Sequence, residues 1–141
     1  MDVTSRPLQC IVVTPERAVL DEPADFVALP MYDGELGILP GRAPLIGRLG
    51  YGELRIRHGE TTRRFFVDGG FAQVRNNVVT VLTPRAVRGE EIDLQAATRT
   101  LEGPETASVL PEAQEAQWKN RERARAQLRV AHRTRGEVES P

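Results

Sequence analysis

Two histidines, one cysteine and three serines are the chain's whole supply for a nucleophile or a metal site. His58 falls in a turn and His132 in an arginine-rich stretch, and neither has a second ligand at a spacing such as H-E-x-x-H, so no metal is expected. Ser5, Ser108 and Ser140 fall in loops or tails without the strand-to-helix turn that exposes a nucleophilic serine. Cys10 lies among apolar residues with no cation to lower its pKa. The acid pairs Asp21-Glu22 and Glu90-Glu91 are adjacent, so on a strand they face opposite sides and cannot share a substrate. Lys119 is the only lysine, which excludes a G-x-x-x-x-G-K-[ST] phosphate loop. No catalytic residue, metal or cofactor is expected; a binding or mechanical part is.

The positive charge is concentrated. Residues 118–135 carry Lys119 and Arg121, Arg123, Arg125, Arg129, Arg133 and Arg135 against Glu122 alone, net +6 within a chain of formal net charge −1. Arg121, Arg125, Arg129 and Arg133 recur every four positions, which on a helix sets them in one row. Such a row either solvates a surface helix or reads an acidic partner, and the sequence leaves both open. A second feature is the run Gly34-Glu35-Leu36-Gly37-Ile38-Leu39-Pro40-Gly41-Arg42-Ala43-Pro44-Leu45, in which glycines and prolines bracket a short apolar strand. It presents Glu35 and Arg42 on loops at a sheet edge, where binding residues concentrate.

These residues need a scaffold, and 141 residues allow one domain with an appendage. Apolar residues make up 40% and charged residues 28%, a globular balance, and no apolar stretch approaches the ~18–20 residues of a membrane-spanning helix. From Leu8 to Thr83, short β-branched and aromatic runs alternate with turn residues, which predicts an antiparallel β-sandwich of about eight to ten strands. Leu8–Val13 reads as a strand buried on both faces, and Phe26–Leu29 is similar. Leu54 and Ile56 alternate with Glu53, Arg55 and Arg57 in a strand with one wet face. Asp33-Gly34, Pro40-Gly41, His58-Gly59, Asp68-Gly69-Gly70 and Asn76-Asn77 supply the turns.

After Pro84, Ala, Glu, Gln and Arg replace the β-branched residues. Asp93 caps a first helix from Leu94 to about Leu101, stopped by Gly103-Pro104, and a loop through Thr106 and Ser108 follows. Pro111 opens a second helix from Glu112 to about Arg135, ~36 Å long at 1.5 Å per residue. The expected division is 1–88 for the sandwich and 89–141 for a C-terminal α-helical hairpin, with residues 137–141 as a frayed tail. On the second helix Ala113, Ala116, Ala124, Leu128 and Ala131 form a narrow apolar arc. It buries little surface and predicts a helix that is weakly held and able to detach.

On the Gly34–Leu45 run the chain resembles the epsilon-subunit family of the rotary F-type ATP synthase, whose hallmark is a GELGILPGHAPL-like segment matched here at eleven of twelve positions. The resemblance continues through Gly52-Glu53-Leu54-Arg55-Ile56, Phe66-Val67-Asp68-Gly69-Gly70-Phe71, Val78-Val79-Thr80-Val81-Leu82 and Glu90-Glu91-Ile92-Asp93, and returns at Ala126-Gln127-Leu128-Arg129-Val130. It implies the same fold and a non-catalytic rotor subunit of the central stalk. The implied partners are the gamma subunit and the membrane c-ring, on the sandwich, and the alpha/beta catalytic head, through the C-terminal helices. Coupling of ion flow to ATP synthesis follows from the first two, and inhibition of ATP hydrolysis from the third.

The resemblance also assigns residues. Glu35 and Arg42 are the implied ring contacts; Arg42 stands where the family usually has histidine, and a guanidinium keeps its charge at every relevant pH. Arg121, Arg125, Arg129 and Arg133 are the implied head contacts in an extended state, an electrostatic brake that salt weakens. Some members bind ATP through an I/L-D-x-x-R-A motif. Here Ile92-Asp93-Leu94-Gln95-Ala96-Ala97 retains Asp93 but has Ala96 in place of the phosphate-binding arginine, so no nucleotide binding is expected.

The N-terminus has no basic region followed by an apolar core, so no secretory signal is expected. The resemblance places the chain peripherally at the cytoplasmic face of the bacterial inner membrane. A reading of another class competes: a β-sandwich adaptor whose arginine-rich helix binds nucleic acid or another acidic partner, since clustered cations suffice for phosphate. Against nucleic acid, the two tyrosines and four phenylalanines form no evident base-stacking platform, and no nucleic-acid partner is expected.

Overall fold

The computed structural model describes residues 6–103 and 110–136. Ser5, Ser108, Ser140, the Thr106 loop and the 137–141 tail lie outside them. Eight strands come first: β1 Leu8–Val13, β2 Ala18–Ala24, β3 Phe26–Met31, β4 Gly34–Ile38, β5 Leu45–His58, β6 Thr61–Arg75, β7 Val78–Leu82 and β8 Ala86–Arg88. A 3-10 turn at Gly89–Glu91 leads to the helices α1 Leu94–Glu102 and α2 Pro111–Thr134. The strand order is β2-β1-β7-β6-β5-β3-β4, with β8 on the free flank of β6. All pairs are antiparallel except β1 with β7, which is parallel. The expected antiparallel sandwich therefore holds with one exception, where β1, paired with β2 on one side, meets the sequence-distant β7 on the other.

The two long strands β5 and β6 build both layers. They pair in one register from Leu45 opposite Val74 to His58 opposite Thr61. Their inward set changes parity midway: Leu49, Ala72 and Val74 point into the core at one end, and Leu54, Ile56, Phe65 and Val67 at the other. Since side chains alternate with period two, a parity change moves a strand's inner face from one layer to the other. Gly69 (φ 74°) and Gly70 (φ 103°) make that corner. A Cβ on Gly70 would lie 2.0 Å from the Leu82 carbonyl oxygen, so only glycine fits. Asp68-Gly69-Gly70 is thus a bend inside β6 and not the chain-reversing turn its composition suggested.

Other local signals act as expected. Asn76 (φ 51°) and Asn77 (φ 63°) form the two-residue hairpin between β6 and β7, with both residues left-handed as a type I′ turn requires. Asp93 caps α1 by accepting from the Ala96 amide at 3.0 Å. Pro111 occupies the first turn of α2. Strand β1 differs from its expectation: Leu8, Cys10 and Val12 are buried, but Gln9, Ile11 and Val13 are only half-buried, because no described element covers that outer face. The expected apolar arc of α2 is also displaced. Ala113 and Ala116 are exposed and Leu128 half-buried, whereas Ala124, Ala126, Val130 and Ala131 are buried, since only the C-terminal part of the helix reaches the sandwich.

Candidate functional site

The most chemically elaborate region is where α2 crosses the outer face of the β5 and β6 segments beyond the corner. Phe66 points out of the sandwich there and is fully buried, together with Ile92 and with Ala126, Val130 and Ala131 of α2. Tyr51, Val87 and Leu94 pack around this seam. Small residues at 126, 130 and 131 bring the helix close to the sheet. At its end Thr134 presses on Gly89: a Cβ on Gly89 would lie 1.8 Å from the Thr134 Oγ1.

Two carboxylates flank the seam. Arg123 Nε donates to Asp68 Oδ1 at 2.7 Å, its guanidinium lies 4.8 Å from the centre of the Tyr51 ring, and its Nη1 donates to Asn120 Oδ1 at 3.1 Å. The hydrogen bond to Asp68 raises the Arg123 pKa above its ordinary value, against the opposing effect of burial. The Asp68 amide is itself held at 3.3 Å from Thr83 Oγ1. At the other edge Glu53, its side chain 6% exposed, faces Arg55 at 3.4 Å, Arg64 at 3.5 Å and Arg133 of α2 at 3.5 Å. Arg64 Nε is buried there without a hydrogen bond. Glu53 was expected on a wet face; the helix covers that face, and the three guanidiniums compensate for the charge it buries.

The residues singled out by sequence do not form one site. Glu35, second residue of β4, pairs with Arg55 at 3.3 Å and lines a cleft of about 210 Å³ with Glu53, Arg129 and Arg133. Arg42 lies beyond the other end of β4, in an exposed loop next to Gly41, whose amide donates to Asn77 Oδ1 at 2.8 Å. The arginine row is also divided. Arg121 reaches the Thr100 carbonyl at 3.3 Å, Arg125 pairs with Glu122 of its own helix, Arg129 is exposed, and Arg133 meets Glu53. Asp93 and Ala96 line a second cleft of about 350 Å³ between the helices and β8, shared with Arg85, Thr100 and Arg123. His58 lies 3.6 Å from Asp25. Cys10 is buried, and burial followed by the charges of Glu22 and Asp21 pushes its thiol up to about 12. Among the described residues no three His, Cys, Asp or Glu side chains stand together as a metal site, and no helix is long and apolar enough to cross a membrane.

Sequence reasoning missed Arg123, Asp68, Tyr51 and Phe66 as partners. Arg123 and Asp68 are 55 residues apart, and Arg133 and Glu53 are 80 apart, so no local spacing could have joined them.

The opposite outer face of the sandwich, before the corner, is bare among the described residues. Ile46 is 75% exposed, Phe71 56% and Leu82 52%. The pairings set Arg48, Phe71, Leu82 and Val13 in one cross-strand row and Ile46, Gln73, Thr80 and Ile11 in the next. Arg48 caps the first row, 4.5 Å from the centre of the Tyr32 ring.

The family model for the ATP synthase delta/epsilon chain, beta-sandwich domain, matches residues 7–89. The chain belongs to the ATP synthase delta/epsilon family. It is 54% identical over 125 residues to the ATP synthase epsilon chain of Rhodopirellula baltica, covering 88% of this chain and 98% of that one. It is 42% identical over 125 residues to that of a Synechococcus strain, covering 85% and 90%. The fold is shared with a chain of the Euglena gracilis mitochondrial ATP synthase (OSCP/F1/c-ring), with TM-score 0.72 at 23% identity over 89% of this chain and 82% of that one. It is shared too with a chain of the Tetrahymena thermophila central stalk and c-ring, with TM-score 0.69 at 15% identity over 89% and 97%. As an epsilon-type chain it is a non-catalytic subunit of the complex, which agrees with a site built for contacts between charged surfaces.

Proposed function

We propose that this epsilon chain is a rotor part that couples transmembrane ion flow to ATP synthesis and whose hairpin brakes ATP hydrolysis. The supporting observation is the docking of a net +6 helical stretch on the sandwich through small side chains of its own, with Arg125 and Arg129 exposed. A helix held this lightly exchanges its own sandwich for an acidic surface of the catalytic head, where Arg121, Arg125, Arg129 and Arg133 make the contacts. The bare apolar face with Ile46, Phe71 and Leu82 supports a permanent partner, the gamma subunit, because contiguous exposed apolar surface marks such interfaces. Glu35 and Arg42 remain the proposed c-ring contacts, made separately and not as a pair, at the cytoplasmic face of a bacterial inner membrane.

ATP sensing is not part of this reading. Asp93 is engaged as the α1 cap and Ala96 brings no cation to the larger cleft. The test is ATP hydrolysis by the reconstituted catalytic head, with the full chain or with a chain ending at Glu91, across a salt series. Faster hydrolysis on truncation, reproduced by salt with the full chain, is expected; rates unchanged by both while the complex assembles overturn the brake.

A further inference from the structure

We propose that Asp68 and Glu53 form a two-point charge latch that holds α2 on the sandwich and competes with any acidic partner for the same helix. The biological consequence rests on the braking role proposed above; the latch itself is a property of the isolated chain.

The side chains that α2 itself brings to the seam are small. Each alanine of α2 contributes about one methyl group, roughly 0.8 kcal/mol when buried, and Val130 is the largest side chain that α2 places in the cluster. Orientation is then decided at the edges. Arg123 and Arg133 are ten residues apart, ~15 Å along the helix axis, and each meets an acid of a different strand: Asp68 on β6 at 2.7 Å and Glu53 on β5 at 3.5 Å. Sliding α2 by one turn, or rolling it by one residue, separates both pairs at once. The Asp68 point is the stronger, because Asp68 is only 17% exposed, Tyr51 lies against the guanidinium, and Asn120 fixes a second nitrogen.

The two arginine sets have different duties. Arg123 is half-buried against Asp68, whereas Arg133 is exposed while it meets Glu53, Arg129 lines the cleft beside that pair, and Trp118 and Arg125 are exposed, Trp118 by 60%. An acidic surface therefore engages the exposed side chains first, Arg133 among them, and displaces Asp68 from the half-buried Arg123 last. Arg133 uses one of its N–H groups on Glu53 and is exposed, so it can begin to meet the head while the helix is docked, and the Asp68 point is the one that must break for release. The latch thus resists undocking until the partner supplies carboxylates enough to replace both.

The experiment is hydrogen exchange on the full chain alone at low salt, comparing α2 amides 120–133 with strand amides of β1 and β7. Asp68→Asn and Arg123→Ala each raise α2 exchange by about tenfold, the range of a charged hydrogen bond, and leave β1 and β7 unchanged. The double variant goes no further than either single one, and the swap Asp68→Arg with Arg123→Asp restores slow exchange. Glu53→Gln leaves three guanidiniums facing one another, so its strand amides report whether the sandwich itself suffers, while the Asp68 series keeps the test decisive. Unmoved α2 exchange, strand exchange rising in step with it, or additive single effects overturns the latch. A loosened α2 with hydrolysis by the head unaffected leaves the latch standing and removes the brake; the converse pattern does the reverse.

Discussion

Phe66 and Phe71 lie five residues apart on one strand, and both point away from the main core. Phe66 is fully buried beneath α2, whereas Phe71 is 56% exposed on the opposite side of the molecule. The corner at Gly69-Gly70 separates them by carrying β6 from one layer to the other. Two outer faces of the same pair of strands have thus received different covers. One is closed by the chain's own helix, with an aromatic centre and ion pairs at both edges. The other has one apolar row, Phe71, Leu82 and Val13, with Arg48 stacked on Tyr32 at its end, beside a row in which Ile46 and Ile11 flank Gln73 and Thr80. Charges at the rim of a contact make it specific and sensitive to salt, and apolar rows favour lasting burial.

The largest expected effect tests that contrast directly. Phe66→Ala lowers stability by about 3–5 kcal/mol in urea unfolding, and Phe71→Ala by less than about 1 kcal/mol, since only the first opens a cavity. Equal losses would remove the distinction between the faces. A smaller effect is confined to the helix side. Gly89→Ala forces a Cβ against Thr134 and costs about 1–3 kcal/mol, read as faster exchange in the last turn of α2 with β1 and β7 unmoved.

The effect that is smallest near neutral pH, and grows only in alkali, concerns the core between the faces. Cys10 points inward and Ile11 outward along β1. Because the folded thiol titrates near 12 against an ordinary 9.0, the unfolded chain loses its proton first as pH rises. Stability is therefore fully present below about pH 9 and falls through the window up to about pH 12, by at most ~1.4 kcal/mol per pH unit. Unfolding midpoints of the natural chain and Cys10→Ala across that window measure it, and the difference between their pH slopes isolates the thiol.

Much of the fold was legible because its signals are short-ranged. The Asn76-Asn77 turn, the Asp93 cap and the proline at the head of α2 each act within a few residues. The Glu53 strand shows where that reading ends. Its alternation is correct for Leu54 and Ile56, but the face judged wet is covered by a helix from far along the chain. The α2 arc fails for a related reason: the alanines at 113 and 116 repeat the helical period as well as those further on, yet the sandwich does not extend beneath them.

The sequence by itself determined most strands and both helices, the concentration of arginine in residues 118–135, and the family, because propensity, turn chemistry and an ordered series of motifs are written in neighbouring residues; the short strand β8, after Pro84 where the pattern reads as helical, was not among them. The tertiary structure alone decided which glycine pair bends a strand and does not reverse it, which outer face is covered, and that Asp68 meets Arg123 and Glu53 meets Arg133. Those choices depend on where one layer passes into the next and on how far a rigid helix reaches across it, distances that no local spacing contains.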